Sequence, residues 1–520
     1  MRKKIFLCSH IFSSDRVKYR MKKTSSTPFL TTTFIVTIIT AIERLLGFFY
    51  RITLSKNLGE ELLGVYQLST SLFGVFLTLG VGGLPVTVSR FIARFKAENA
   101  PQKQNSTLSA GLLLAFLSSF LPALCFWLFA RFLTPFVPDE RCLPTLKILL
   151  IGGIFSSLFA ILRGRQWGNK RFLSPALFEL LEQSVLVISA VLFLAFPSRI
   201  SLLERVAWAN ALSCAVAFFV AFFALLLEKP KFNPPLPLAK ELFCSSLPIT
   251  AMRIFNSLLV SAVAVILPAM LVKAGLSNTD AIKLYGVLTG MVLPVLFIPA
   301  TLIGTLSLVL SPQISEDFYK KNFARLKKNI DRGLTLSAFL SLLLVPLIFV
   351  LSAEIGGVFF SSLTAGEMIK AGAPILLPMS VSMFSTSVMN ALGNQKISLK
   401  FYLFGALSLT ISILLLTAPL KGYSYLVGMG LNFSVTAVCN LLFLRKKQVL
   451  DASVFKKLAL VCALLLPVAL FGQLIKAVCL PTFGAYFSLC FIGLETVGFA
   501  IAVWFFALNR PFKKKSCKFL

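Results

Sequence analysis

Residues 29–50 read FLTTTFIVTIITAIERLLGFFY, and Glu43 and Arg44 are the only charged residues among these 22. A helix needs about 20 consecutive apolar residues to cross the hydrocarbon core of a bilayer. Fourteen stretches of this kind follow one another along the 520 residues, which are 57% hydrophobic and only 14% charged, with a mean hydropathy of +0.86. The sequence therefore predicts an all-α polytopic membrane protein with about 14 transmembrane helices.

The predicted spans are separated by short loops. Two of them, 242–272 and 282–312, are longer than a perpendicular crossing requires, so we expect them to be tilted or kinked. The spans are 29–50, 63–88, 107–130, 143–162, 173–196, 203–227, 242–272, 282–312, 333–352, 366–392, 398–419, 423–444, 457–479 and 483–508.

Positive charge is concentrated on one side of this topology. Of the 51 Lys and Arg residues, 37 fall on the side of the N-terminus and 11 on the other side. Because cytoplasmic loops are rich in Lys and Arg, both termini and the 313–332 loop are predicted to be cytoplasmic, in the cell membrane. The net charge of +31 thus indicates topology and attraction to anionic membrane lipids, and we expect no nucleic-acid partner.

An internal repeat divides the chain into halves. At a shift of 222 residues, Leu63-Gly-Val-Tyr-Gln67 matches Tyr285-Gly-Val-Leu-Thr289. Six spans per repeat is an even number, so we expect two six-helix lobes related by a pseudo-two-fold axis along the membrane normal, with a central cavity between them. The predicted organisation is a basic arm (1–28), an N-lobe (29–227), a linker (228–241), a C-lobe (242–444), a loop (445–456), two C-terminal helices (457–508) and a basic tail (509–520).

Charged side chains inside spans are candidates for function, because placing them in hydrocarbon is costly. Arg44 and Arg51 are seven residues apart, nearly two turns, and so share one helix face with Gly47 between them. Arg253 lies near the start of the seventh span and would serve the second half as Arg44 serves the first. We predict that these arginines bind substrate, although Arg51 is close enough to a boundary to extend merely to the membrane surface.

Glu43, Glu179, Glu182 and Gln183 complete the candidate substrate-binding set. The last three follow i, i+3, i+4 spacing in the fifth span and therefore share a face, which must meet protein or water. Two roles stay open for the carboxylates. They pair with Arg44 or Arg253, balancing the charge of an empty site or ordering the bundle, or they bind a coupling ion, a proton or sodium.

The chain shows no catalytic or metal-binding constellation. Its single histidine, His10, lies in the N-terminal arm, and its ten cysteines are scattered without a CxxC pair. We therefore expect no enzymatic activity, no metal and no cofactor. The pair Gly286 and Gly290 is expected to be an ordinary helix-packing contact.

Several motifs occur in order between residues 29 and 445. They are Arg44-Leu-Leu-Gly-Phe-Phe-Tyr-Arg51, Leu63-Gly-Val-Tyr-Gln67, Gly83-Leu-Pro-Val-Thr-Val-Ser89, Ser246-Leu-Pro-Ile-Thr-Ala-Met-Arg253 and Leu310-Ser-Pro-Gln-Ile-Ser-Glu316. Together they resemble the stage V sporulation protein B branch of the multidrug/oligosaccharidyl-lipid/polysaccharide exporter superfamily, a group akin to the lipid II flippase MurJ.

The resemblance implies two lobes in a V-shape around a central cavity, with two extra C-terminal helices. It also implies that a monomeric flippase moves an undecaprenyl-linked oligosaccharide across the cytoplasmic membrane by alternating access, for peptidoglycan or spore cortex. Of the cavity arginines typical of MurJ, Arg44 matches, Arg51 is displaced by one position, and the later ones fall near Thr78 and Thr289. Arg253 fits the sporulation branch instead, so lipid II itself stays open as the substrate.

Two alternatives belong to other functional classes. A cation-coupled multidrug antiporter of the same fold would favour an acidic or aromatic cavity with an Asp cation site, whereas no aspartate here falls well within a span. A membrane scaffold for envelope assembly would tolerate mutation of Arg44 and Glu182 without consequence.

Overall fold

The computed structural model describes residues 27–133, 138–196, 199–228, 233–479 and 485–508, and the regular structure there is entirely helical. Twelve helices in this part of the chain are long and apolar enough to cross a membrane. The prediction of an all-α, multi-pass membrane protein is therefore confirmed, whereas the count of 14 spans stays a prediction. His10, the basic tail and nearly all of the basic arm lie outside the described residues.

The first half of the chain forms six helices, some of which contain breaks. They are α1 (Thr27–Val81), α2 (Leu84–Ala97), α3 (Pro101–Leu133), α4 (Cys142–Gly168), α5 (Leu173–Ala195) and α6 (Leu202–Leu227).

Helix α1 holds the first predicted span and most of the second. It is broken at Gly59, whose φ of 70° and ψ of 179° lie outside the helical region. The hydroxyls of Tyr50 and Tyr66 are only 3.0 Å apart, although 16 residues of straight helix would separate them by about 24 Å. The chain therefore turns back at Gly59, because glycine can adopt the conformation that reverses the chain within one residue. The sequence had indicated a loop at 51–62 for this reversal.

The second half contains more helices, and several of them are short or interrupted. They are α7 (Leu236–Lys273), α8 (Asn278–Gly286), α9 (Leu293–Tyr319), α10 (Phe323–Val350), α11 (Ser352–Glu354), α12 (Leu363–Gly372), α13 (Leu376–Ala391), α14 (Gln395–Leu420), α15 (Tyr423–Lys446), α16 (Ser453–Cys479) and α17 (Ala485–Leu508). Two π-helical turns, Val287–Val292 and Ile355–Phe359, and a 3₁₀ turn, Ala373–Ile375, join some of them.

The predicted loop at 313–332 was wrong, because nearly all of it is helical. Helix α9 runs on to Tyr319 and α10 begins at Phe323. A three-residue turn suffices because Lys321 adopts a left-handed φ of 57° and the Asn322 side chain accepts a hydrogen bond from the Arg325 N–H. Helix α7 likewise begins inside the predicted linker 228–241, directly after Pro235.

The helices pack as two sets. In the first set α4 lies against α1, α2, α3 and α6, and in the second set α13 and α15 pack together while α9 and α10 pack against α13. Helix α7 contacts α1 to α3 as well as α14, and α16 and α17 pack on α10. Whether these sets are the two predicted lobes, and whether the two halves superpose, stays a prediction.

The two sets touch at the end of the bundle that contains Gly59, here called the Gly59 end. A Cβ atom added to Gly286 would lie 2.5 Å from the Gly64 nitrogen, so these backbones are in direct contact. Nearby, Ser362 donates a hydrogen bond to Glu60. The contact confirms that Gly286 packs helices together, and residues 64 and 286 differ by the 222 residues of the sequence repeat. Contact between equivalent residues is what a two-fold axis produces.

Candidate functional site

A cleft of about 410 Å³ lies between the two helix sets, beside residues 44–51 of α1. We call it the arginine cleft. The first half contributes Arg44, Gly47, Phe48, Arg51 and Gln67 to its lining, and the second half contributes Thr289, Leu293, Pro294, Phe297 and Ile298.

Arg44 and Arg51 both line this cleft, on the common face of α1 that their spacing predicts. Both residues are exposed to it. Neither makes a hydrogen bond or an ion pair with any residue that the structure describes. The arrangement therefore places two permanent positive charges, each with forked N–H donors, in a membrane-embedded cavity without a bound counter-charge.

The second half of the chain forms the opposite wall of the cleft, at the junction between α8 and α9. The π-helical turn Val287–Val292 joins α8 to α9, and Pro294 stands in the first turn of α9, where its missing N–H costs nothing. A π-turn shifts the helical register and is frequent at functional sites. Here it brings Thr289 and Phe297 to the same cavity, one polar and one aromatic.

Glu179 is paired, but with a different arginine from those we expected. Arg163 of α4 forms an ion pair with Glu179 of α5, and its guanidinium also lies 5.0 Å from the Trp167 ring. Both side chains of the pair are about three-quarters buried. The expected partners, Arg44 and Arg253, therefore do not compensate Glu179. Sequence reasoning missed Arg163 because the predicted span ended at residue 162, whereas α4 continues to Gly168.

Glu182 and Gln183 face neighbouring helices, as their spacing predicts. The thiol of Cys214 in α6 donates a hydrogen bond to Glu182 Oε1, with a distance of 3.5 Å between sulfur and oxygen. Gln183 lies behind the arginine cleft, since a Cβ atom on Gly47 would be 3.4 Å from its Nε2 atom. Glu43 lies within electrostatic range of Glu179, Arg44 and Arg163. These four side chains thus form a polar layer between α1, α4, α5 and α6, beside the cleft.

Arg253 occupies a different place from Arg44. Its Nη1 atom donates to the Gly82 carbonyl at 2.8 Å, and the Thr250 hydroxyl accepts from the Gly83 N–H at 2.8 Å. Gly82 has a φ of 38° at the break between α1 and α2. Arg253 is not among the residues lining the arginine cleft. The structure therefore brings Arg44 together with Arg51, and it places Arg253 against the buried backbone of the break between α1 and α2.

A site for a coupling ion is not evident in the geometry. Within the described ranges, no three His, Cys, Asp or Glu side chains lie close enough together to hold a metal ion. Glu43, Glu179 and Glu182 are instead distributed between Arg163, Cys214 and the neighbouring helices. The coupling ion, proton or sodium, stays a prediction.

The fold and the cleft together define the class of protein. Solved structures with the same architecture include the lipid II flippase MurJ in an inward closed conformation, with a TM-score of 0.68 and 16% identity, covering 92% of this chain and 100% of that one. An inward-facing multidrug resistance MATE family transporter of the MOP superfamily gives a TM-score of 0.64 at 15% identity, covering 78% and 94%. At these identities the likeness shows a shared fold alone.

The sequence comparison narrows the class to a family. The chain belongs to the family described as polysaccharide biosynthesis protein, whose model matches residues 29–318. Stage V sporulation protein B of Bacillus subtilis is 26% identical over 417 residues, which cover 76% of this chain and 79% of that protein. Lipid II flippase MurJ of the same organism is 22% identical over 429 residues, covering 76% and 78%.

Proposed function

We propose that this protein is a flippase that moves a lipid-linked oligosaccharide precursor across the cytoplasmic membrane by alternating access, for peptidoglycan or spore cortex synthesis. The observation that carries the proposal is the arginine cleft, which Arg44 and Arg51 line without an ion-pair partner among the described residues. The name of one relative, lipid II flippase MurJ, supports this substrate class, and the name of another, stage V sporulation protein B, supports a use in sporulation.

The chemistry of such a substrate matches the cleft. A polyprenyl-linked sugar carries a diphosphate, which hydrocarbon does not solvate. Arg44 and Arg51 are about 10 Å apart along α1, and each offers planar paired donors suited to phosphate oxygens. Phe48 and Phe297 provide aromatic walls beside them. The polyprenyl tail stays in the lipid while the charged group crosses in the cleft.

Alternating access requires the helix sets to separate at the end where they now touch. The described contacts there include the Gly64–Gly286 backbone approach, the Ser362–Glu60 hydrogen bond, and a shared apolar core to which Leu63 and Ile282 contribute. Opening this end therefore has to separate part of that core together with the polar contacts. Substrate would then leave from the Gly59 end, which the charge bias predicts to be external.

The charge of the cleft argues against the alternatives. Two arginines repel a cationic drug in a low-dielectric cavity, so a cation-binding antiporter is disfavoured. A scaffold has no need for an arginine such as Arg44 inside a span and facing a cleft without an ion-pair partner. In our proposal Glu43, Glu179, Glu182 and Gln183 form a supporting polar layer that balances the arginines between transport cycles. The relatives favour transport over catalysis.

Reconstitution tests the proposal directly. Purified protein in liposomes should carry lipid II or another undecaprenyl-linked sugar to the far leaflet. Arg44→Ala should slow this transport by roughly ten- to a hundred-fold, because a hydrogen bond to a charged group contributes about 1.5–3 kcal/mol. Arg90→Ala is the matched control, since Arg90 is an exposed arginine of α2 outside the cleft.

Two results would contradict the proposal. The first is a wild-type protein that moves none of the undecaprenyl-linked sugars. The second is an Arg44→Ala variant that inserts normally and transports at the wild-type rate, which would leave the cleft without an assigned ligand.

A further inference from the structure

A second cleft lies at the opposite end of the bundle from Gly59, between α9 and α13. It has a volume of about 600 Å³ and no charged side chain in its lining. The polar groups that line it come mainly from hydroxyl and amide side chains, namely Ser307, Ser311, Ser315, Ser387, Asn390 and Gln395. We call it the serine cleft.

The hydroxyls of this cleft are available to a ligand. Many helical serines of this protein donate to a carbonyl of their own helix, as Ser337 does to Gly333. Ser307, Ser311 and Ser315 make no hydrogen bond with any residue in the described part of the chain. Each hydroxyl is both a donor and an acceptor, and each amide offers both functions as well. The set is complementary to the hydroxyl and acetamido groups of a sugar.

The serine cleft and the arginine cleft lie along one face of α9. Ser311 follows Leu293 by 18 residues and Ser315 follows Phe297 by the same interval, which is about five full turns. Leu293 and Phe297 line the arginine cleft. The two clefts are therefore consecutive positions on a common surface.

The separation along that surface is short. The nearest lining residues, Ile298 and Gly304, are six positions apart, or about 9 Å along the helix axis. One elongated molecule can therefore occupy both clefts at once.

We propose that the serine cleft is a glycan-binding subsite. It receives the sugar headgroup of the lipid-linked substrate while the diphosphate lies against Arg44 and Arg51. This inference rests on the proposed function and assigns the two parts of the substrate headgroup to two different clefts. The charged cleft binds the anion, and the uncharged cleft binds the sugar hydroxyls. Tyr319, which is 73% exposed at the mouth of the cleft, adds a flat ring with a polar tip.

Gly304 offers a way to fill the subsite without disturbing the fold. A Cβ atom on this residue would meet nothing within 4 Å, and Gly304 lines the serine cleft. The variant Gly304→Phe should therefore place a ring in the cleft. Gly498 of α17 is also a helical glycine with nothing within 4 Å of an added Cβ, so Gly498→Phe is the matched control.

The experiment compares a probe that carries a sugar-containing headgroup with one that ends at the diphosphate. Protein in nanodiscs is titrated with lipid II and with undecaprenyl diphosphate. Gly304→Phe and the triple variant Ser307→Ala/Ser311→Ala/Ser315→Ala should each weaken lipid II binding by about tenfold or more, since one hydroxyl hydrogen bond contributes about two- to tenfold. Binding of undecaprenyl diphosphate should be unchanged. Gly498→Phe should change neither affinity, and Arg44→Ala should weaken both.

The outcomes separate the subsite from the proposed function. Equal weakening of both probes by the cleft variants, or no weakening of either, would overturn the subsite, while the loss in Arg44→Ala would still support the flippase. A wild-type protein that binds neither probe would overturn both. Free chitobiose that binds as tightly as lipid II would assign the cleft to a soluble sugar and contradict the lipid-linked source.

Discussion

Two groups of arginines lie deep among the helices, and their surroundings differ. Arg163 of α4 pairs with Glu179 and lies over Trp167, so its charge is compensated by the protein. Arg44 and Arg51 of α1 face the cleft between the two helix sets and pair with no described side chain. The difference indicates that the first arginine stabilises the bundle, whereas the other two remain available to an anionic ligand.

The difference between the two groups of arginines can be tested by opening the arginine cleft without altering Arg44 or Arg51. Gly286→Leu should do this, because its Cβ would lie 2.5 Å from the backbone of Glu60 and Gly64, neither of which is a flexible side chain. We expect it to destabilise the closed Gly59 end by about 3 kcal/mol. In a cysteine-free background, Gln67→Cys should then react faster with an impermeant thiol reagent added at the Gly59 side.

The control for this variant is Gly357→Leu, where an added Cβ would meet nothing within 4 Å. The same labelling rate in Gly286→Leu, in Gly357→Leu and in the parent protein would show that the Gly64–Gly286 contact does not close the cleft.

The two arginine groups should also differ in their effect on stability. Arg163→Ala leaves Glu179 without its partner in a largely buried site, so we expect a loss of about 2 kcal/mol in the free energy of unfolding. The double variant Arg163→Ala/Glu179→Ala should recover part of that loss. Arg44→Ala should change the unfolding temperature in detergent little. A lower unfolding temperature for Arg44→Ala than for Arg163→Ala would reverse the assignment.

The geometry of the free arginines matters as well as their charge. Arg44→Lys keeps a positive charge in the cleft but loses the forked pair of donors. We expect transport in liposomes to fall about fivefold, which corresponds to about 1 kcal/mol. A wild-type rate for the lysine variant would show that a point charge suffices and that paired hydrogen bonds to phosphate are not made.

The smallest effect should come from an ion pair outside the membrane spans. Glu228 follows α6 and contacts Arg165 at 2.7 Å and also Arg171. Partial burial raises its pKa, but the two guanidiniums outweigh burial and hold the pKa of Glu228 below its ordinary value of 4.5. The ionised glutamate therefore stabilises the folded protein above that value, and this contribution is lost as the pH falls through the lowered pKa.

Glu228→Gln should accordingly cost less than about 1 kcal/mol at pH 7, as is usual for exposed pairs. The difference in unfolding temperature between this variant and the wild type should shrink below about pH 4.5. A difference that stays constant with pH would show that Glu228 acts through packing and not through its charge.

The sequence predicted the helices more completely than their junctions. Long apolar stretches define spans, so the membrane class followed from stretches such as 29–50, whereas the superfamily followed from the resemblance of motifs such as Leu63-Gly-Val-Tyr-Gln67. The reversal at Gly59 and the three-residue turn before α10 depend on single backbone conformations, which hydropathy does not record. For that reason we expected loops at 51–62 and 313–332 where the chain is largely helical.

The candidate site was predicted in part. The spacing of Arg44 and Arg51 predicted that they share one face of α1, and the spacing of Glu182 and Gln183 predicted that they face other helices. The structure shows both arrangements. Spacing within one helix does not show how neighbouring helices are rotated, so it could not identify Arg163 as the partner of Glu179. The serine cleft had no sequence signal, because serines on an apolar helix usually bond to their own backbone.

Binding of undecaprenyl diphosphate tests the central claim most directly, because this probe carries the charge without the sugar. It should be measured in nanodiscs for two double variants, Arg44→Ala/Arg51→Ala and Arg163→Ala/Glu179→Ala. Our account predicts that the first loses about a hundredfold in affinity and that the second, once folded, binds like the wild type. Unchanged binding in the first variant, or an equal loss in both, would contradict the claim that Arg44 and Arg51 hold the diphosphate.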